Sequence, residues 1–369
     1  MSTWIVRLDE PGEGPRLAVK DVIDVAGVPT TIGCAAVADR AQPAAIDADC
    51  VATARAGGAR IVGKSNLHEL CYGVTGINRW YGTPVNPLDS TLVPGGSSSG
   101  SAAAVGAEEA DIGYGTDTGG SVRIPAACCG IAGLKTTWGR ISIEGVWPLS
   151  PTLDTVGPLA RDIAGVVTGM QLMEPGFDPS GAVTTVGRVR RPGADPDVEA
   201  AVDEVLAAWG VDVIDIVLDG WAAADTAFEQ IIGAEAYAAD RHWVEDSPDR
   251  VGELVTRRIL EGAAVSATQL AAARIVRQRW QQELAVVFDR VQILALPTLP
   301  GPAPSLGLVG PRPPLNQLTR TFNVSGSPAL SLPSANRGTS LQLVGPLHGE
   351  ELLCAAGAEV ERVVQSLRP

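Results

Sequence analysis

The sequence predicts an α/β fold in one large domain, and three observations carry that reading. A short apolar run, Leu17-Ala18-Val19, is followed by a helix-like stretch over 48–57 and by a second apolar run, Ala59-Arg60-Ile61-Val62-Gly63. That strand, helix, strand order implies parallel pairing. The length of 369 residues exceeds what one small core needs and fits a single domain with lobes. The composition, 45% hydrophobic and 19% charged with 42 Gly but only four Phe and four Tyr, is that of closely packed helices and sheet.

The elements follow in order. Ser65-Asn66-Leu67-His68-Glu69-Leu70 reads as a short capped helix, 78–94 as a loop thick with Pro, Gly and Asn, and 101–106 as helix again. Frequent Pro and Gly over 174–195, around a strand-like 183–189, mark a lobe boundary. A helix over 197–209, a strand over 211–217, alanine-rich helical patterns over about 222–290 and a strand over 291–296 come next. The proline-rich 297–314 reads as a loop, 328–333 as a buried strand and 350–367 as the closing helix. The division expected is a core at about 15–160, a helical lobe at about 174–290 and a return to the core at 291–369, all within one domain spanning 1–369. No internal repeat or low-complexity tract interrupts it.

Charge and cysteine usage exclude several function classes. A net charge of −14 argues against a nucleic-acid partner, because phosphate binding needs a basic stripe. Cys34, Cys50, Cys71, Cys128, Cys129 and Cys354 include no Cys-x-x-Cys pair and have no histidine at ligand spacing, so buried free thiols are expected rather than a metal site. The first ten residues lack a signal peptide's basic and apolar regions, and no stretch approaches eighteen uncharged apolar residues. A cytoplasmic protein without membrane association is expected.

The chemistry concentrates in two glycine-serine turns, Pro94-Gly95-Gly96-Ser97-Ser98-Ser99-Gly100-Ser101 and Gly115-Thr116-Asp117-Thr118-Gly119-Gly120-Ser121-Val122-Arg123, with Lys20-Asp21 far upstream. A serine nucleophile needs a base and donors for the oxyanion. The Gly-x-Ser-x-Gly elbow is missing and the chain has only His68, His242 and His348, which makes a Ser-His-Asp triad a poor fit. A lysine made neutral by burial can serve as base, and Lys20 ends an apolar run; a salt bridge from Lys20 to Asp21 or Asp24 is the competing reading. For the first turn the competitors are a flexible linker and a phosphate cradle, and for Thr118-Gly119-Gly120 an ordinary turn between two strands against a nest of N–H groups.

Together these residues resemble the amidase signature hydrolases, whose hallmark is a Gly-Gly-Ser-Ser-rich turn followed by Gly-Thr-Asp-x-Gly-Gly-Ser-x-Arg-x-Pro. The resemblance extends from Val19-Lys20-Asp21-Val22-Ile23-Asp24 through Gly133-Leu134-Lys135 and Leu153-Asp154-Thr155-Val156-Gly157-Pro158 to Gln342-Leu343-Val344-Gly345, and the 24-residue gap from Ser97 to Ser121 is the family's own. It implies a large twisted mixed sheet flanked by helices on both faces. It also implies a triad in which Ser121 attacks, Ser97 relays the proton through a turn containing a cis peptide, and neutral Lys20 is the base. The N–H groups of Thr118, Gly119, Gly120 and Ser121 would form the oxyanion hole, with Gly96, Ser98, Asp117 and Arg123 supporting the turns. No metal or organic cofactor is implied.

Relatives usually carry several dozen residues ahead of this lysine, against nineteen here, so a homodimer would be expected to differ in geometry. Asn336-Arg337-Gly338-Thr339-Ser340-Leu341 replaces the family's Gly-Leu-Pro-Val-Gly turn and is expected to reshape one wall near the site. Few aromatics argue against a lipid amide. The pattern is most similar to bacterial hydrolases of carboxybiuret, allophanate or malonamate, and the expected substrate is a small, carboxylate-bearing amide. Arg320 is the expected carboxylate clamp, with Gln317, Tyr72 and Trp147 as further pocket residues and His68 and Trp80 as weaker ones. A glutaminase component of a tRNA-dependent amidotransferase and a non-catalytic scaffold are the alternatives.

Overall fold

A computed structural model of the chain describes residues 3–8, 10–307 and 314–368. The first strands, β1 (Trp4–Arg7) and β2 (Arg16–Lys20), are followed by the helices α1 (Ala35–Ala38) and α2 (Asp49–Ala56) and by β3 (Arg60–Ser65). β3 lies between the two strands, antiparallel to β1 and parallel to β2. Parallel neighbours need a crossover, and α2 supplies it by burying Cys50, Val51 and Ala54. Where the sequence suggests a short helix from Ser65 to Leu70, Ser65 instead pairs with both Trp4 and Lys20, which keeps it extended. Only Glu69–Cys71 closes a single tight turn, with Leu70 and Cys71 at φ 50° and 56°.

Next come α3 (Ser99–Gly106), β4 (Ile112–Asp117), α4 (Arg123–Cys129), β5 (Ala132–Lys135), β6 (Thr155–Ala160) and α5 (Ile163–Met173). Side chains alternate across β4, which places helices on both faces of the sheet. Gly113 and Gly115 lie against Ser101 and Ser98, whereas Ile112 and Tyr114 face α5, where the Tyr114 hydroxyl donates to the Gly169 carbonyl at 3.3 Å.

Beyond β6 the chain adds β7 (Thr185–Val189), α6 (Pro196–Trp209) and β8 (Asp212–Ile216), then α7 (Trp221–Asp246), α8 (Glu253–Glu261) and α9 (Ala267–Phe288). The alanine-rich run is therefore three helices, interrupted near Pro248 and Gly262. The last elements are β9 (Ile293–Pro297), α10 (Thr321–Ser325), β10 (Ala329–Pro333), β11 (Ser340–Val344) and α11 (Glu350–Leu367). The loop read over 297–314 is irregular where it is described; residues 308–313 lie outside the described residues.

Among the described residues, eleven strands join one mixed sheet in the order β1-β3-β2-β4-β6-β5-β10-β11-β9-β7-β8. Parallel pairs at β2/β3, β2/β4, β7/β9 and β7/β8 enclose an antiparallel centre. The core runs along it, with Leu17, Val19, Tyr114, Leu134, Leu294, Leu330 and Leu343 fully buried. All six cysteines are free and buried. Among the described residues no single helix is long and apolar enough to cross a membrane.

Candidate active site

Lys20 is the last residue of β2, is completely buried, and stands beside Thr116 of the neighbouring β4. Its Nζ lies 2.7 Å from Ser97 Oγ and 2.7 Å from Thr116 Oγ1. The competing salt bridges are absent. Asp21 pairs with Lys64 at 3.0 Å and accepts the Thr31 N–H, while Asp24 accepts the Thr30 hydroxyl at 2.6 Å. Among the described residues no carboxylate forms an ion pair with Lys20. Burial pushes its pKa down, and the nearby Cys71, Asp117 and Asp154 offset this only in part. A neutral amine here can accept the Ser97 proton while donating to Thr116.

The Ser97 turn is neither a linker nor an open anion cradle, since Ser97, Ser98 and Ser99 are all fully buried. The Gly96–Ser97 peptide is cis. A Cβ on Gly96 would lie 2.8 Å from the Gly76 nitrogen, so no larger residue fits without a shift. The Ser97 carbonyl accepts the His68 N–H at 3.0 Å, and the Ser98 N–H donates to the Ser121 carbonyl at 3.2 Å, fastening the two turns together. Ser98 Oγ also donates to the Thr116 carbonyl at 3.3 Å.

Ser121 stands between β4 and α4, so the second turn links a strand to a helix rather than two strands. Asp117 organises it. Its carboxylate accepts the N–H of Gly120 at 2.7 Å and of Val122 at 3.1 Å, and binds Arg123 through Nε at 3.0 Å and Nη2 at 2.9 Å. Burial disfavours the Asp117 charge, but the Arg123 guanidinium outweighs it and holds the carboxyl below the usual range. One expectation is corrected: the Gly120 N–H is not free, being committed to the Asp117 carboxylate at 2.7 Å. The N–H groups of Thr118, Gly119 and Ser121 have no acceptor among the described residues. Gly120 itself has φ +128°, and a Cβ there would meet Thr319 Oγ1 at 2.3 Å, the hydroxyl that donates to the Gly119 carbonyl at 2.7 Å. Arg123 completes the brace by donating to Thr319 O, Gln342 Oε1 and Asn323 Oδ1.

Ser121, Thr118 and Gly119 line a cavity of about 400 Å³. Tyr72 is in its wall. Arg320 reaches it as well, yet its guanidinium is held by Asp225 at 2.5 and 2.6 Å and by Glu229, so it arrives already neutralised and makes a poor carboxylate clamp. The other expected pocket residues lie elsewhere. Trp147 donates to Asp240 at 3.2 Å and packs 6.0 Å from Trp243; Gln317 donates to the Pro192 carbonyl; Trp80 donates to Glu69 at 2.6 Å. His68 is buried behind the cavity, and burial, with Arg258 and Lys20 nearby, pushes its pKa down to about 3. The Asn336–Thr339 turn is absent from the wall, Arg337 donating instead to the Leu88 carbonyl.

Arg258 of α8 was not singled out by the sequence. It lines the cavity, donates to the Tyr72 carbonyl at 2.8 Å, and has no acidic partner among the described residues. Thr116, Thr319 and Asn323 are likewise silent in the sequence, because their roles come from contacts across long stretches of chain. No group of three or more His, Cys, Asp or Glu among the described residues is placed to hold a metal ion.

The family model described as Amidase matches residues 13–354. The chain is 34% identical to the A component of the glutamyl-tRNA(Gln) amidotransferase from Halobacterium salinarum, over 96% of each chain. Among solved structures it is similar to an amidase at 31% identity and TM-score 0.88, covering 94% of this chain and 84% of that one. It is also similar to the allophanate hydrolase of Kluyveromyces lactis at 26% identity and TM-score 0.86, covering 95% of this chain and 62% of that one.

Proposed function

Because the chain belongs to the amidase signature family and is an amide-cleaving hydrolase, we propose that it acts on a small amide bearing a carboxylate, through Ser121, Ser97 and Lys20. The observation that carries the catalytic part is the buried Lys20 amine, free of any carboxylate partner among the described residues and 2.7 Å from Ser97 Oγ. Ser121 Oγ attacks the carbonyl carbon, passing its proton to Ser97 as Ser97 passes its own to Lys20. The developing oxyanion accepts hydrogen bonds from the free N–H groups of the Thr118–Ser121 turn. Lys20 then returns its proton through Ser97 to the leaving nitrogen as the C–N bond breaks. Water enters by the reverse relay and frees the carboxylic acid from Ser121.

Arg258 supports the carboxylate preference: among the described residues it is the cavity's guanidinium without an acidic partner, and a planar cation suits a carboxylate. The likeness to an allophanate hydrolase points the same way, since allophanate is a small carboxylate-bearing amide. The amidotransferase relatives favour a second reading, glutamine hydrolysis within a multi-chain amidotransferase. Glutamine also carries an ammonium group, and of the cavity's acids Glu229 is taken by Arg320 while Glu261 stands opposite Arg257. This charge pattern favours the first reading.

Ammonia release by the purified chain over a panel of neutral amides, carboxylate-bearing amides and glutamine tests both, with Ser121→Ala as control. Release from the carboxylate-bearing amides that vanishes in the variant is expected. Release from glutamine alone, or only with added partner chains, would favour the second reading. Release that survives Ser121→Ala would overturn the assignment of the nucleophile.

A further inference from the structure

The Leu153–Pro158 motif contains a buried acid that the reaction as described does not use. Asp154 accepts three hydrogen bonds: the Thr118 hydroxyl at 2.5 Å on Oδ1, and the N–H groups of Leu149 and Ser150, each at 2.9 Å, on Oδ2. Each of these donors matters for a different reason. Thr118 opens the turn that carries the N–H groups unpaired among the described residues, and Leu149 lines the same cavity as Thr118. Ser150 continues the link outward by donating to Glu235 of α7 at 2.6 Å, where Thr152 also donates at 2.8 Å.

We propose that Asp154 is a positioning residue that sets the oxyanion turn through the Thr118 side chain and ties that turn to the cavity wall and α7. This rests on the reading that Ser121 is the nucleophile and the Thr118–Ser121 turn its oxyanion hole. Backbone donors stabilise a transition state only when aimed before the charge develops. Asp117 and Thr319 grip the turn at Gly120 and Gly119; Asp154 grips it at Thr118, on the other side. Burial pushes the Asp154 carboxyl upward, and its donors act against that shift in favour of the ionised, accepting form.

The test is steady-state kinetics and thermal melting of Thr118→Val, Thr118→Ser, Asp154→Asn and the Thr118→Val/Asp154→Asn double variant, beside wild type and Ser121→Ala. Asparagine keeps an acceptor for the two backbone donors and changes the group that meets Thr118. We expect Thr118→Val and Asp154→Asn each to lower kcat by about tenfold to a hundredfold with little change in KM, as expected for a misplaced catalytic group. Thr118→Ser should recover most of the loss, and the double variant should be no worse than the poorer single one. A wild-type kcat in Thr118→Val, or losses that multiply in the double variant, would overturn the proposal while Ser121→Ala remained inactive. Should Asp154→Asn fail to fold, the valine and serine pair at Thr118 decides alone. If Ser121→Ala is as active as wild type, the parent reading fails and this inference fails with it.

Discussion

The proposed role of Lys20 as a base at neutral pH depends on a fold that denies its charge both water and a counter-ion. Removing a cation from water without a partner favours the neutral form, and each neighbouring acid is committed elsewhere: Asp21 to Lys64, Asp117 to Arg123 and Asp154 to Thr118. Activity should therefore rise with pH as Lys20 loses its proton, with a midpoint below the ordinary lysine value, in a kcat/KM profile. Lys20→Met should be nearly inactive at every pH, because Lys20 supplies the amine in contact with Ser97 Oγ. At Arg258, substitution by glutamine should raise KM for carboxylate-bearing amides by about tenfold or more, the scale of a lost charged hydrogen bond. KM for neutral amides should hardly move, and an equal rise for both classes would remove Arg258 from substrate recognition.

At the scale of elements, α7 receives Ser150 and Thr152 on Glu235 and contains a second buried acid, Asp240. Burial pushes the Asp240 carboxyl up to about 7, against the help of the Trp147 indole N–H and with the nearby Asp154 adding to the rise. Between about pH 4 and that value the folded chain keeps a proton that the unfolded chain has lost. Its contribution to stability thus falls as pH rises across that window. Asp240→Asn keeps an acceptor for Trp147, so its Tm should gain more on wild type at pH 8 than at pH 5; the opposite trend would mean that Asp240 is ionised in the fold. Elements differ in how far the sequence discloses them. α6 and α11 are legible from their apolar periodicity, but β4 and β6 are not, because Gly113, Gly115, Gly157 and Pro158 are poor strand formers held extended by the β4–β6 pairing. Pro158 fits because the pairing of β6 with β5 covers only Ala160 and Leu159. The glycine-serine turns are legible because few other residues could occupy them. Arg258 is not, since nothing local distinguishes it from Arg257 beside it.

Across the whole molecule, the site forms at the carboxyl ends of the parallel strands β2 and β4, where α3 and α4 begin. Arg123 closes the assembly, its buried guanidinium joining Asp117 to Thr319, Asn323 and Gln342 from the far end of the chain. Arg123→Met leaves Asp117 buried without its counter-ion and should cost about 3–5 kcal/mol in urea unfolding, the scale for breaking a buried pair. A smaller loss than about 1 kcal/mol would show that water or another cation replaces it. The most direct test of the account is covalent labelling with a fluorophosphonate, followed by mass spectrometry, as a function of pH in wild type and Lys20→Met. The account predicts one label, on Ser121, at a rate that rises with pH in wild type and is slow and flat in the variant. Labelling of another residue, or an unchanged rate without Lys20, would contradict it.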